Sequence, residues 1–186
     1  MWRTRISTFL RRFRDDTRGT ATMEAAITMP FLAWVMVLMF VFFDVYRFNS
    51  IRDKATYTTA DMITREMQTI DESYLTNAKT VFDAIAGDGE RNQLRFTVIK
   101  YDADNDEYTV KWSRVRGTGD LTPWTDADAE ARRDRLPILT DGEEVLLVDS
   151  VSRYFTPFEM PGDEILDVET RVFASPRFVP QIVLDG

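Results

Sequence analysis

An uncharged apolar run of 19 residues, positions 25–43 (AAITMPFLAWVMVLMFVFF), constrains this chain more than any other feature. At about 1.5 Å per residue, a helix of that length nearly crosses a hydrocarbon core of roughly 30 Å. Its apolar residues run right round the helix, which disfavours an amphipathic element of a soluble core. Trp34, Phe40, Phe42, Phe43 and Tyr46 weight the far end with rings, which suit a membrane interface. A single transmembrane helix over residues 20–43 is the expectation.

Charge is segregated around this run. Residues 1–18 carry six arginines (Arg3, Arg5, Arg11, Arg12, Arg14 and Arg18) against Asp15 and Asp16. The other 168 of the 186 residues hold 17 basic and 29 acidic side chains, a net charge of −12. A basic head and an acidic body predict opposite sides of a membrane, with the arginines on the cytoplasmic side. An acidic body lacks the positive footprint of a nucleic-acid binder. The sequence has no Cys and no His, so disulfides, thiol nucleophiles and His-based acid–base chemistry are excluded.

Three kinds of protein share this arrangement: a cleaved secretory precursor, a plain signal anchor, and a subunit assembled from the membrane. A secretory signal has a shorter apolar core, of about 7–15 residues, and a small-x-small cleavage site. Here the run ends in FFDVYRFNS, with no such site. A signal anchor explains the arginines but not Glu24, the one carboxylate at the head of the run. A carboxylate costs on the order of 2–3 kcal/mol near a bilayer centre and less toward the interface. One reading leaves Glu24 solvated among headgroups. The other starts from Gly19. Cleavage between Gly19 and Thr20 would remove all six arginines and create an ammonium at Thr20. Glu24 lies four residues on, on the same helix face, where it can meet the ammonium of a neighbouring subunit. In low dielectric such pairing fixes register more than it adds stability.

The stretch RRFRDDTRGTATMEAAITMP resembles the amino terminus of the TadE/TadF-like, pilin-like proteins of the tight-adherence (Flp, type IV-like) pilus system. The shared pattern is a basic leader ending in Gly, four residues, Glu, then an apolar helix. Gly19 matches the residue before the cut, Thr20 the new amino terminus, and Glu24 the fifth residue of the processed chain. Pro30 matches the proline often found early in such helices. Ala25 departs from the family, many members of which have an aromatic residue there. The resemblance implies processing by a prepilin peptidase, which leaves 167 of the 186 residues. It also implies a minor pilin or pseudopilin, partnered by other pilin-like subunits and the tight-adherence assembly machinery.

Past the run, apolar residues at Val45, Phe48, Ile51, Ala55, Met62, Ile63, Met67 and Ile70 recur at helical spacing. The helix is expected to continue through a soluble half, residues 44–72, and to end near Ile70. Residues 73–186 then form a periplasmic or extracellular α+β domain. Within it, Leu75, Ala78, Val81, Phe82 and Ile85 make a helix face stopped by Gly87 and Gly89. A hairpin follows, with Leu94, Phe96 and Val98 alternating on one strand and Tyr108, Val110 and Trp112 on the other. Residues 117–144 read as a long connection with a short, solvated helix capped by Thr125. Two strands follow around a PGD turn. The first, residues 145–154, is long enough to hold a bulge. The predicted fold class is α+β, pilin-like: a long amino-terminal helix packed on a small antiparallel sheet of about four strands.

No catalytic set is visible, and the chain is not expected to be an enzyme. The carboxylate pairs Glu143–Glu144 and Asp163–Glu164 fall at turns, where solvated acids are usual. GTG at 117–119 lacks the lysine of a phosphate loop. Asp102, Asp104 and Asp106 have the first spacings of a calcium loop, but Glu107 and Ser113 stand where that loop needs Gly and Glu. An acidic turn is the simpler account, and no metal or other cofactor is expected. The expected location is the inner (cytoplasmic) membrane, with the amino terminus cytoplasmic and the body periplasmic, or incorporated in an extracellular pilus. The expected role is assembly or priming of a Flp-type pilus in surface adhesion. The alternative is a non-polymerising single-pass signal anchor with a periplasmic interaction domain.

Overall fold

The computed structural model describes residues 19–87, 89–155 and 166–185. The basic leader, the Asp163–Glu164 pair and the PGD turn lie outside them. The chain divides into two compact units, Met1–Asp44 and Val45–Gly186. Helix α1 (Gly19–Thr64) belongs to both. Its first half is long and apolar enough to cross a membrane, and none of it is buried by the protein.

In the second unit, α1 is followed by α2 (Glu72–Ala86), β1 (Asn92–Asp102), β2 (Glu107–Arg116), the short α3 (Asp126–Glu130), β3 (Glu144–Tyr154) and β4 (Leu166–Ala174). The strands form one antiparallel sheet in the order β2–β1–β3–β4. The second half of α1 and all of α2 cover one face. Leu94, Phe96, Val98, Leu146, Val148 and Val172 of the sheet meet Ala55, Ala60, Ile63, Leu75, Ala78 and Phe82 of the helices in one core.

α1 packs through small residues rather than through the large apolar stripe its sequence suggests. Ala55, Thr56, Thr59, Ala60 and Ile63 are buried, whereas Met67 is exposed. The threonine hydroxyls bond back to the helix, Thr56 Oγ1 to the Arg52 carbonyl (2.8 Å) and Thr59 Oγ1 to the Ala55 carbonyl (2.9 Å). Thr56 also meets Ser150 of β3 at 2.9 Å. Satisfied in this way, the hydroxyls carry no desolvation penalty, and their small size lets the helix lie close on the sheet. Arg52 is 3 % exposed, lies over the Phe48 ring and donates to the Phe48 carbonyl.

α1 ends at Thr64 rather than near Ile70, without a Gly or Pro to stop it. A distant segment captures the chain instead. The Arg177 amide donates to the Thr64 carbonyl (3.0 Å), and Ile70 forms a parallel bridge with Leu184. Two further backbone bonds, Ile70 N–H to the Val183 carbonyl (2.9 Å) and Asp185 N–H to the Ile70 carbonyl (2.7 Å), hold it. Asp71 then caps α2 by accepting from the Tyr74 amide at 2.7 Å.

Two expectations about the sheet need correction. β3 pairs with β1 and β4 in unbroken register. The bulge lies in β2, where Val98 pairs with Trp112 but Ile99 pairs with Val110. Lys111 is the extra residue. It turns Trp112 to the helix-covered face and leaves Tyr108 and Val110 on the other, although all three alternate in sequence. The 117–143 connection is not merely solvated. Trp124, Ala129, Leu136 and Leu139 close a second core with Ile99, Tyr108, Val145 and Leu147.

Candidate functional site

The candidate residues of the first unit all lie on the exposed apolar half of α1. Gly19, Thr20, Glu24 and Pro30 are solvent-facing in the isolated chain, and Trp34 is 59 % exposed. α1 is already helical at Gly19, and a Cβ added there would meet nothing within 4 Å. Packing therefore gives no reason for glycine. Glu24 falls one helical turn after Thr20. Thr28 Oγ1 donates to the Glu24 carbonyl at 2.6 Å, which satisfies the hydroxyl locally, and Glu24 itself is exposed. Pro30 sits inside the helix, where it has no N–H to offer the preceding turn. The arrangement is an exposed apolar helix surface carrying a single carboxylate near its start.

The acidic hairpin turn uses its carboxylates locally. Asp102 accepts from the Asp104 and Asn105 amides (3.0 and 3.3 Å) and from the Asn105 side chain (2.9 Å). The Asn105 bonds, with the Asp104 amide, hold its carboxyl below the usual range. Asp106, in the left-handed region at φ 56°, accepts from the Tyr101 hydroxyl (2.6 Å) and pairs with Arg133. Those contacts, the hydroxyl first, lower its pKa as well. Asp102, Asp104 and Asp106 are therefore not gathered around a common centre. Among the described residues, no group of three or more potential ligating side chains converges on a point.

Glu143 and Glu144 also diverge. Glu143 accepts from the Thr140 amide and hydroxyl, both at 2.9 Å, while buried Glu144 accepts from the Ile182 amide at 3.2 Å. An open groove of about 690 Å³ beside α3 is lined by Tyr101, Tyr108, Arg133, Ile138 and Leu139. Its arginine is engaged by Asp106 and Glu130.

One polar cluster was not anticipated. Asp149 of β3, 5 % exposed, accepts from Arg95 Nε and Nη2 (3.0 and 2.5 Å) and from Arg171 Nε (2.7 Å). Arg95 Nη1 also donates to the Thr122 carbonyl at 3.0 Å. Arg95, Arg132 and Arg171 lie 4.8–5.2 Å from the Trp124 ring. Asp149 thus ties three adjacent strands together, and the arginines tie them to the connection above. The signal was present as single charges inside largely apolar stretches: LRFTV, LLVDSV and TRVF.

Protein-family models, curated proteins and solved structures were compared with the chain, and none matches.

Proposed function

We propose that this protein is a membrane-anchored minor pilin or pseudopilin that acts in assembly or priming of a tight-adherence (Flp-type) pilus and so supports surface adhesion. The role is structural rather than enzymatic. One observation carries the reading. A single helix begins with an exposed apolar half bearing one carboxylate, Glu24, a turn after Thr20, and continues as a half packed on an antiparallel sheet. The sterically unrequired glycine at position 19 adds support.

In this reading the arginine-rich leader stays cytoplasmic, the body is periplasmic, and a prepilin peptidase cuts after Gly19. The apolar half holds the subunit in the inner membrane first and against other pilin-like subunits later. Glu24 sets its register there by pairing with a neighbour's ammonium. The body selects partners within the assembly machinery, and no metal or other cofactor takes part.

Intact-mass measurement of the protein from cells containing the cognate peptidase tests the proposal. The expected chain begins at Thr20. Retention of Met1 would leave the alternative, a non-polymerising signal anchor with a periplasmic interaction domain.

A further inference from the structure

We propose that Lys79 and Asn92 join through an isopeptide bond between Lys79 Nζ and Asn92 Cγ, formed by the folded body itself with release of ammonia. The inference stands apart from the pilus reading, since every residue in it belongs to the second unit. Lys79 and Asp83 lie one turn apart on α2, and Asn92 opens β1. One carboxylate joins all three. Lys79 Nζ pairs with Asp83 Oδ2, and Asn92 Nδ2 donates to Asp83 Oδ1 at 3.1 Å. An amine and an amide are thereby held side by side. Asn92 Nδ2 also donates to the Gly87 carbonyl at 2.8 Å. A carbonyl only accepts, so this contact fixes the orientation of the amide. Asn92 Oδ1 then faces β3, where the Ser152 hydroxyl donates to it at 2.8 Å. Asn92 and Ser152 are fully buried, and the Lys79 side chain is 15 % exposed. Lys79 Nζ donates to the Gly89 carbonyl as well, at 3.0 Å. The backbone leaves room for this group: a Cβ at Gly117 would stand 3.0 Å from Lys79 Cε and 2.3 Å from the Asn92 carbonyl oxygen.

Each group has the part that amide exchange requires. A lysine amine is a nucleophile once it has given up a proton, and Asp83 Oδ2 is placed to take it. Nζ then attacks Asn92 Cγ. Charge gathers on Oδ1, where the Ser152 hydroxyl meets it. Asp83 touches both nitrogens, so it can relay two protons in turn from Nζ to Nδ2. The Cγ–Nδ2 bond breaks, the Nζ–Cγ bond stays, and Nδ2 leaves as an ammonium ion. An ammonium and a primary amide thus become a secondary amide and an ammonium ion. Nothing is oxidised or reduced, and Asp83 returns to its carboxylate form. Fixed proximity supplies the rate that free lysine and free asparagine lack. The product ties α2 to β1, which lies between β2 and β3 in the sheet. A covalent link of this kind limits the freedom of the unfolded chain as a disulfide does.

Mass spectrometry of the full chain, purified in detergent and compared with K79R and D83A, tests the bond. Release of ammonia should leave the natural chain about 17 Da lighter than K79R once the substitution itself is allowed for. Trypsin should fail to cut after Lys79 and should yield a branched peptide in which residues 66–91 are joined to residues 92–95. K79R and D83A should keep their full masses, and K79R should unfold at lower urea. A natural chain of full mass that is cut after Lys79 would overturn the proposal, whether or not D83A folds. A loss of about 17 Da with normal cutting after Lys79 would also overturn it, because a cyclised asparagine loses the same ammonia. Loss of water, about 18 Da, with Lys79 joined to Asp83 would overturn the assignment of Asn92 as the acceptor. A branched peptide that persists in D83A would overturn proton relay by Asp83.

Discussion

A Cβ at position 19 would meet nothing within 4 Å, so packing does not require the glycine there, and the proposed peptidase would supply a reason for it. Gly19→Ala is expected to preserve processing, whereas Gly19→Leu is expected to leave the precursor dominant; equal processing of both, read by intact mass, would count against the peptidase. Glu24→Leu is expected to insert normally. Loss of one partner of a buried charge pair costs about 2–5 kcal/mol. Incorporation into pili should therefore fall roughly tenfold or more, and unchanged pilus composition would remove the register role. Asp149 is a different case, because its contacts lie within the body. Asp149→Ala leaves Arg95 and Arg171 without their shared carboxylate and should cost about 3–5 kcal/mol in urea unfolding of the detergent-solubilised chain. Asp120→Ala, whose side chain is 97 % exposed, should change stability by less than about 0.5 kcal/mol.

At the scale of elements, the 177–185 segment does more than its irregular, proline-containing sequence suggests. It caps α1 through Arg177, pairs with Ile70, accepts from the Trp112 indole at the Ile182 carbonyl (2.9 Å), and buries Ile182. Ile182→Ala should destabilise the body by about 2–4 kcal/mol; a change below the error of the unfolding midpoint would mean the segment is only loosely held. The helices, the hairpin and the strand count were legible from residue patterning, because α2 shows an apolar face at helical spacing and the hairpin strands alternate apolar with polar residues in sequence. The end of α1 was not legible, since nothing near Thr64 breaks a helix and the cause is more than a hundred residues away. Nor was the face of Trp112, because one extra residue in a strand inverts alternation without changing the residue pattern. Among the candidate site residues, Gly19, Thr20 and Glu24 make up a local sequence motif, and their proposed roles rest on it. The Arg95–Asp149–Arg171 cluster was not, because its parts meet only once three strands are in register.

For the whole molecule, exposed carboxylates set the response to acid. Glu72 is held below its usual range by Arg114 and Arg116, Asp71 by the Tyr74 amide and Ser73, and Asp128 by the Thr125 amide and hydroxyl. Each folded pKa lies below the ordinary value, 3.8 for Asp and 4.5 for Glu. The unfolded chain therefore binds protons first as pH falls. The stability these groups supply is complete above those ordinary values and is lost as pH drops through the lowered folded ones. The urea midpoint should be level between neutral pH and about 5 and then decline, with a shallower decline in Glu72→Gln; a midpoint independent of pH down to 3 would contradict this. A further consequence follows from the Ile70–Leu184 bridge. A ribosome delivers residue 70 long before residue 184, and a body on the far side of a membrane receives them in the same order. Under the proposed export of the body, closure over α1 waits for translocation of almost everything after it, and an interrupted passage would leave that seam open.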